Sequence, residues 1–292
     1  MPSTRDIRRR IKSVKSTAQI TKAMQMVAAS KMRRAQQAAL AGRPYAALMN
    51  EVLASVSGRV VDYSHPLLET RANPSRQAVI LVSTDKGLCG GLNSNLMREA
   101  ARFPKETTFY VCAGKKGAQF IARTKRELTG EFLYKDTPAF AEARAISKFA
   151  QDLFLEGKVD RVDILYTNFI STLNQKPLVR ALLPISEIKP VGTAFSPAEA
   201  PAAVGGATEC KFEPGPAAVL DALLPHYLNY QVYQILLEAK ASEHSSRMVA
   251  MKNATDNAKQ LIKDLTLEYN KLRQANITKE LLEITSAAMA MG

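Results

Sequence analysis

Residues 248–272 read MVAMKNATDNAKQLIKDLTLEYNKL, and this stretch decides the fold because its apolar side chains repeat every seven residues. One series of the repeat begins at Met248, and a second begins three places later at Met251. Two interleaved series of this kind form the a and d positions of a coiled coil, the seam along which one helix packs on another. The two series are Met248, Thr255, Ile262 and Tyr269, and Met251, Ala258, Leu265 and Leu272.

The tract around this repeat contains no residue that breaks a helix. No glycine or proline occurs between Pro225 and Gly292, and none occurs between Pro2 and Gly42. Because proline inside a helix costs about 3 kcal/mol and glycine about 1 kcal/mol, both tracts favour long helices. At 1.5 Å per residue these helices would extend about 100 Å and about 60 Å, so each needs a partner along its length. We predict that the two ends of the chain pair with each other.

The N-terminal tract carries its own apolar stripe, and the C-terminal tract is longer by about 25 residues. The longer helix should therefore extend beyond its partner after about Asn276. The end that remains is apolar, and we expect another protein to cover it. The stripe begins with Ile7, Ile11, Val14 and Ala18, and we expect it to continue on a slightly rotated line through Ile20, Met24 and Val27.

The excess positive charge lies mostly on the first helix. Of the formal net charge of +13, residues 1–43 contribute +10, from 11 basic residues and Asp6. Such a basic surface attracts nucleic acid, an anionic membrane or an acidic protein, although a solvated charged face is an equal alternative. No run of 18 apolar residues is present, so we expect no membrane-spanning segment. The first residues show no apolar signal core, and three cysteines without CxxC spacing indicate free thiols.

The middle of the chain alternates between strand and helix patterns, which predicts an open α/β sheet of the Rossmann-like kind. Composition then shifts to proline, alanine and glycine, which is typical of a loop. The expected strands are 77–83, 107–112, 163–167 and 178–183, and the expected helices are 94–102, 116–126 and 139–156. The predicted domains are a coiled-coil helix at 1–60, an α/β domain at 75–190, a linker at 191–214 and a second coiled-coil helix at 215–292.

A glycine-rich turn, TDKGLCGGLN at residues 84–93, follows the first predicted strand. Such a turn can hold phosphate on its backbone N–H groups, but neither GxGxxG nor GxxxxGK[ST] is present. The alternative is a tight turn whose glycines adopt positive φ or let the helix approach the sheet. Cys89 in this turn could be a nucleophile, but no histidine is near it in sequence, so a buried thiol is the simpler interpretation. No catalytic residue, metal site or cofactor site is predicted.

Four segments resemble the gamma subunits of F-type ATP synthases. Their order along the whole chain makes the match specific, and the absence of a presequence suggests a bacterial member. The segments are ITKAMQMVAASKMR at 20–33, TDKGLCGGLN at 84–93, RMVAMKNATDNA at 247–258 and YNKLRQANITKEL at 269–281.

The resemblance implies a non-catalytic central shaft. In that family an antiparallel coiled coil runs up the axis of a head of three alpha and three beta subunits. The α/β domain joins the epsilon subunit and the membrane c-ring, and an inhibitor protein can act on the head. Proton flow turns the shaft, and its asymmetry drives the beta sites through different affinities. No nucleotide or other cofactor is expected on this chain, whose expected place is peripheral, on the cytoplasmic face of the bacterial inner membrane.

The resemblance also indicates which residues contact partners. The basic helix should face acidic segments of the beta subunits, and Arg273 and Gln274 match positions that meet a beta-subunit loop. Two other classes of function stay open at this point. A nucleic-acid-binding coiled coil is disfavoured because no aromatics interleave the basic residues, and a nucleotide-dependent enzyme is disfavoured by the missing motifs. The expected contact residues are Arg8, Arg9, Lys22, Met24, Lys31, Arg33, Arg34, Arg273 and Gln274.

Overall fold

The computed structural model describes residues 3–57, 65–71, 75–185, 213 and 215–291. The chain divides into two compact units. The helix-pair unit contains residues 1–27 and 248–292, and the α/β unit contains residues 28–247. Two long helices, α1 (Thr4–Ala41) and α6 (Pro216–Met291), contribute to both units. Residues 28–57 and 216–247 thus belong to the α/β unit, whereas the sequence assigned them to coiled-coil helices. Except for Glu213, the predicted linker at 191–214 lies outside the described residues.

The helix-pair unit is an antiparallel coiled coil whose seam follows the predicted heptads. Between residues 251 and 289 of α6, the only described side chains that are not exposed are the predicted seam members and Ala254. The seam is thin where Thr255 and Ala258 supply small side chains, and each such layer buries less apolar area than a leucine layer. The hydroxyl oxygens of Thr21 and Thr255 lie 2.7 Å apart and form a hydrogen bond across the two helices.

The predicted rotation of the α1 stripe is wrong. Ile20 and Val27 are 58% and 55% exposed, so neither lies in the seam. The spacing of four and three residues simply continues past Ala18 to Thr21 and Gln25, which are both half-buried. A polar Thr21 is tolerated in the seam because its hydroxyl is hydrogen-bonded.

The α/β unit is built on a five-stranded sheet in the order β3-β2-β1-β4-β5. The first four strands are parallel, and β5 pairs antiparallel to β4. The strands are β1 Gln77–Val82, β2 Thr108–Ala113, β3 Glu127–Phe132, β4 Arg161–Phe169 and β5 Gln175–Leu183. The remaining helices are α2 Arg43–Ser57, α3 Leu92–Ala101, α4 Lys115–Arg123 and α5 Phe140–Leu155.

Helices cover both faces of this sheet, so its central strands are buried on both sides. In β1, Ile80 and Val82 belong to a core shared with α2, α5 and the first part of α6. Val79 and Leu81 point the other way, into a core shared with α3 and α4. Full burial of each such side chain contributes about 1.5–3 kcal/mol. The open α/β sheet predicted from the sequence is therefore confirmed.

A missed strand and a divided helix are the main differences from the sequence-based prediction in this unit. Strand β3 was missed because Glu127–Phe132 is an edge strand whose side chains alternate between exposed and half-buried, without a continuous apolar run. The helix expected over residues 1–60 is divided at Gly42. A Cβ atom at Gly42 would lie 2.4 Å from Nε2 of Gln234, so a larger residue here would require the end of the Gln234 side chain to move. The Tyr230 hydroxyl donates a hydrogen bond to the Gly42 carbonyl (2.5 Å).

The C-terminal end of α6 is uncovered, as the sequence predicts. Every described side chain from Arg273 to Met289 is exposed, including Leu282 at 61% and Met289 at 84%. No other described part of the chain buries these large apolar side chains. Their exposure identifies residues 273–289 as a surface that a partner would bury.

The seam predicts a sharp difference between two leucines of α6. Leu265 is 5% exposed in the seam, whereas Leu267 is 70% exposed on the outer face. We expect Leu265→Ala to lower the free energy of unfolding of the helix pair by about 2 kcal/mol, because it leaves a cavity. Leu267→Ala should change it by less than about 0.5 kcal/mol. Circular dichroism of thermal unfolding measures both, and equal effects would contradict the seam assignment.

Candidate functional site: the outer faces of the long helices and their seat on the sheet

The predicted contact residues fall into two groups. Six lie in the helix-pair unit, and three, Lys31, Arg33 and Arg34, lie in the part of α1 that belongs to the α/β unit. Met24 is half-buried beside the seam, and Lys31 is half-buried and forms an ion pair with Asp136. Lys31 is therefore already engaged within the chain. The exposed members are Arg8, Arg9, Lys22, Arg33, Arg34, Arg273 and Gln274.

Residues 238–247 of α6 cross the carboxyl edge of the parallel strands. They contact the turn after β1, the segment after β3, and the turn that joins the end of β4 to the start of β5. We call these segments (residues 84–89, 133–136 and 169–175) the helix seat. In doubly wound sheets this edge is where ligands bind, at the point where the strand order reverses. Here that point lies between β1 and β4. The chain fills the crevice with its own helix.

The turn after β1 grips α6 through its backbone carbonyls. The Ser246 hydroxyl donates to the Cys89 carbonyl (2.7 Å), and the Arg247 guanidinium donates to the Gly87 carbonyl (3.2 Å). Asn93 closes the same turn by donating from Nδ2 to the Thr84 hydroxyl (2.7 Å). The glycine-rich turn is thus a docking loop for α6.

The backbone donors beside this turn are also used within the chain. The N–H groups that open α4 donate to the Asp85 carboxylate from Lys115 (3.0 Å) and to the Ser83 hydroxyl from Gly117 (2.7 Å). Gly114 has φ +106°, and a Cβ atom there would lie 2.3 Å from the Ser83 carbonyl oxygen. Close packing therefore requires glycine at Gly114, which follows β2. Within the turn at 84–93, a Cβ atom at Gly87 would meet nothing within 4 Å, but Gly90 has φ +59°. This positive φ favours the tight-turn interpretation over a phosphate cradle.

The two cysteine thiols in the described part of the chain are shielded from solvent. Cys89 is 2% exposed and Cys112 is fully buried. Burial raises the pKa of the Cys89 thiol, and it raises the pKa of Cys112 to about 12. Both thiols therefore stay protonated at neutral pH, and the nucleophile alternative for Cys89 has no support.

A buried ionic cluster fixes α6 beside the segment after β3. Lys240 is 1% exposed, and its Nζ lies 3.0 Å from Glu243 Oε2 and 4.4 Å from the ring centroid of Tyr134. Glu243 also accepts from Arg247 (2.8 Å), and Asp136 lies 3.9 Å from Lys240. The hydrogen bond from Lys31 lowers the pKa of Asp136, so this carboxylate stays charged. Charges this deeply buried persist only when they are paired.

Two further titratable groups of α6 face the seat. Glu238 accepts a hydrogen bond from the Phe169 N–H (3.3 Å), while Tyr166 and Arg180 also interact with it. Burial raises the pKa of Glu238 to about 7, against the opposing effects of the Phe169 N–H and Arg180. Burial lowers the pKa of His244 to about 4, and no described group bonds its Nε2 atom. Folding therefore changes the pH at which Glu238 and His244 gain or lose their charge.

Sequence reasoning missed this cluster. The available signal was a dense set of ionisable residues on α6 at spacings of three and four, immediately before the heptads. Such spacing is also typical of an exposed helix face, so the sequence alone did not distinguish the two.

Within the described residues, no group of three or more histidine, cysteine, aspartate or glutamate side chains could hold a metal ion. Among the same residues, no helix is both long and apolar enough to cross a membrane.

The ionic cluster predicts a partial rescue. Lys240→Met leaves Glu243 buried with one fewer cation, so we expect it to lower the free energy of unfolding by about 3 kcal/mol. Adding Glu243→Gln should recover part of that loss, because the uncompensated charge is then removed. Lys263→Met, at an exposed position of the same helix, is the control and should be nearly neutral. Urea unfolding measures all three, and a Lys240→Met effect no larger than the control would refute a structural role.

Glu238 and His244 predict opposing pH effects. The pKa of Glu238 rises from 4.5 to about 7 on folding, so its stabilisation is complete below 4.5 and is lost as pH rises through 7. The pKa of His244 falls from 6.5 to about 4, so its stabilisation is present above 6.5 and is lost as pH falls through 4. Between these limits the two effects offset each other in the wild-type chain.

Replacing either Glu238 or His244 should make the effect of the other on the pH dependence of stability measurable. In Glu238→Gln, the free energy of unfolding should rise more steeply between about pH 5 and about pH 6.5, by at most about 1.4 kcal/mol per unit. In His244→Gln it should fall over the same range. Urea unfolding at constant ionic strength measures both slopes, and two variants with the wild-type slope would disprove the assignment.

Comparisons with known proteins agree with this architecture. A family model described as ATP synthase matches residues 3–291. A chain of Opitutus terrae named ATP synthase gamma chain is 51% identical over 296 residues, covering 99% of each chain. A chain from the central stalk and c-ring structure of Tetrahymena thermophila mitochondrial ATP synthase aligns with a TM-score of 0.58 and 26% identity, over 80% of this chain and 99% of that one.

A chain from a structure of Euglena gracilis mitochondrial ATP synthase, comprising OSCP, F1 and the c-ring, shares the fold. It aligns with a TM-score of 0.68 and 20% identity, over 99% of this chain and 94% of that one. The family model and the bacterial relative extend over almost every residue, including both long helices and the sheet. On this evidence the chain belongs to the ATP synthase gamma-chain family.

Proposed function

We propose that this chain is the central rotary shaft of an F-type ATP synthase. It couples proton-driven rotation of the c-ring to the conformational cycle of the beta-subunit catalytic sites. The observation that supports this most strongly is the antiparallel helix pair, whose α6 end is apolar and uncovered from Arg273 to Met289. A helix end of this kind is suited to a sleeve formed by other subunits. Catalysis belongs to those subunits, and this chain binds no cofactor or nucleic acid.

The helix pair can bias three catalytic sites because its sides differ. Equal contacts with all three beta subunits could not shift their conformational equilibria, since coupling requires differential contacts. Between residues 4 and 27, α1 carries seven lysines and arginines and a single acid, Asp6. The facing segment of α6, residues 248–291, carries nearly balanced charge. Each beta subunit therefore meets a different surface at each rotary position.

The proposed partners follow from this arrangement. The helix pair lies within the head of alpha and beta subunits, where an inhibitor protein can also act. The α/β unit contacts the epsilon subunit and the c-ring. The complex places the chain peripherally on the cytoplasmic face of the bacterial inner membrane. Relatives and structural neighbours from ATP synthase complexes support association with such a complex.

The proposed contacts with the head are individually weak. Exposed ion pairs contribute about 1 kcal/mol or less, so the torque is distributed over many side chains. Lys31 differs from the rest because it already pairs with Asp136. An acidic group of a beta subunit would therefore compete with Asp136 for the Lys31 ammonium group. The proposed contact residues remain Arg8, Arg9, Lys22, Met24, Lys31, Arg33, Arg34, Arg273 and Gln274.

The helix seat holds α6 in place on the α/β unit. Torque delivered to the α/β unit has to reach α6 without slipping. The hydrogen bonds from Ser246 and Arg247, together with the buried Lys240–Glu243 ion pair, resist sliding because their energies depend on distance and angle. In the proposed function, the helix seat therefore transmits torque from the α/β unit to α6.

Rotation can be observed directly with a label on the α/β unit. Lys148 on α5 is exposed, so Lys148→Cys can carry a bead, and the buried Cys89 and Cys112 will not compete for it. Cys210 is replaced by serine. With the head fixed to a surface, we expect ATP to drive rotation in one direction with three steps per turn. A head that hydrolyses ATP while the labelled chain stays still would overturn the proposal.

The same assay tests the contact residues. Arg273→Ala combined with Gln274→Ala should lower the torque at unchanged assembly, because both side chains are exposed and contribute nothing to the seam. Lys263→Ala, at an exposed position of the same helix, is the matched control. Equal torque in the double variant and the control would remove these two residues from the proposed interface.

A further inference from the structure

A basic groove lies on the α/β unit, between α3 and α4, on the face opposite to α2 and α5. Its volume is about 560 Å³. Helix α3 lines it with Asn93, Ser94, Met97, Arg98 and Ala101, and α4 lines it with Lys116, Gln119, Phe120 and Arg123. Neither the proposed shaft contacts nor the helix seat includes any of these residues.

The lining residues have a regular geometry. Apart from Asn93 at the start of α3, they occupy positions i, i+3, i+4 and i+7 on each helix, which is one continuous face over two turns. Seven residues at 1.5 Å each give the groove a length of about 10 Å. Two helices side by side with matched faces present the kind of furrow into which the side chains of a third helix pack.

The groove has an apolar floor and a cationic rim. Met97 and Phe120 are half-buried and pack against the core beneath α3 and α4. Arg98 and Arg123 are exposed, and Lys116 is half-buried. None of the described residues that line the groove is acidic.

The acid nearest in sequence does not offset this charge. Glu99 is paired with Arg102 at 2.9 Å and is not among the lining residues. Lys116, Arg98 and Arg123 carry no ion pair with a carboxylate among the described residues. The rim therefore presents uncompensated positive charge to whatever fills the groove.

We propose that this groove is a docking site for an amphipathic helix of another protein, with apolar side chains on the face that enters it and acidic side chains on both flanks. An amphipathic helix in a groove anchors through side chains at i, i+3, i+4 and i+7, which matches the spacing of the two groove walls. The flanking carboxylates pair with Arg98, Lys116 and Arg123. This site is independent of the rotary function, so either proposal can fail without the other.

The first test uses the full-length chain and a synthetic peptide. The probe is a helical peptide of about 15 residues with leucine at the anchor positions and glutamate on the flanks. We expect it to bind, as measured by fluorescence anisotropy, and Arg98→Glu with Arg123→Glu should weaken binding at least tenfold. Peptides with a scrambled sequence, or with lysine in place of glutamate, should not bind.

The control separates the groove from the net charge of the chain. Arg144→Glu with Lys148→Glu makes the same change in charge at exposed positions of α5, on the other face of the sheet, and should change the affinity less than twofold. Equal weakening by the two double variants overturns the proposal, because it shows general electrostatic attraction. Failure of the wild-type chain to distinguish the probe from its scrambled version overturns it as well.

The second test identifies the occupant in the assembled complex. A photo-reactive amino acid replaces Gln119 in the groove, and in a parallel variant it replaces Lys148 on α5. We expect the Gln119 label to cross-link to an acidic helical segment with apolar residues at the anchor spacing, and charge reversal at Arg98 and Arg123 to abolish that product. Cross-links to lipid or nucleic acid, or no product beyond that of the Lys148 label, overturn the proposal.

Discussion

The placement of α6 across the carboxyl edge of the sheet is the constraint on which the α/β unit depends. Doubly wound sheets leave a crevice at this edge where the strand order reverses, and their ligands bind there. In this chain the side chains of Ser246 and Arg247 lie in that region and donate hydrogen bonds to backbone carbonyls of the turn after β1. The Lys115 and Gly117 N–H groups are held by Asp85 and Ser83. A fold that often binds nucleotides serves here to mount a helix.

The seam could be predicted from the sequence because coiled-coil pairing depends on a local period. The α6 seam follows from residues 248–272 without any knowledge of the partner helix. The α1 seam was predicted less well because Thr21 is polar, and hydrophobicity alone favours its neighbour Ile20. What places Thr21 inward is the spacing of the stripe and a hydrogen bond to Thr255, 234 residues away. The spacing is present within α1, but the hydrogen bond is not, because its other partner lies on α6.

The helix seat was beyond prediction for a related reason. Lysine and glutamate are rarely fully buried unless paired, so a sequence rich in them indicates an exposed helix face. Lys240 and Glu243 are exceptions only because Tyr134, Asp136 and Arg247 surround them in the folded chain. The exposed cations of α1 were easier to predict, since exposure is the usual state of such residues. Edge strand β3 escaped detection because it lacks a continuous apolar run.

The helix pair and the helix seat are stabilised by different forces, and the difference suits the proposed rotary function. Apolar burial is non-directional, so a seam of small and apolar side chains resists separation of the helices more than it resists their sliding. Thr21 and Thr255 add one directional contact there. In the seat, hydrogen bonds and ion pairs on Ser246, Arg247 and Lys240 fix α6 at defined distances. A displacement of 1 Å along the helix would break several of them together. Torque can therefore enter α6 at residues 238–247, where directional contacts are densest.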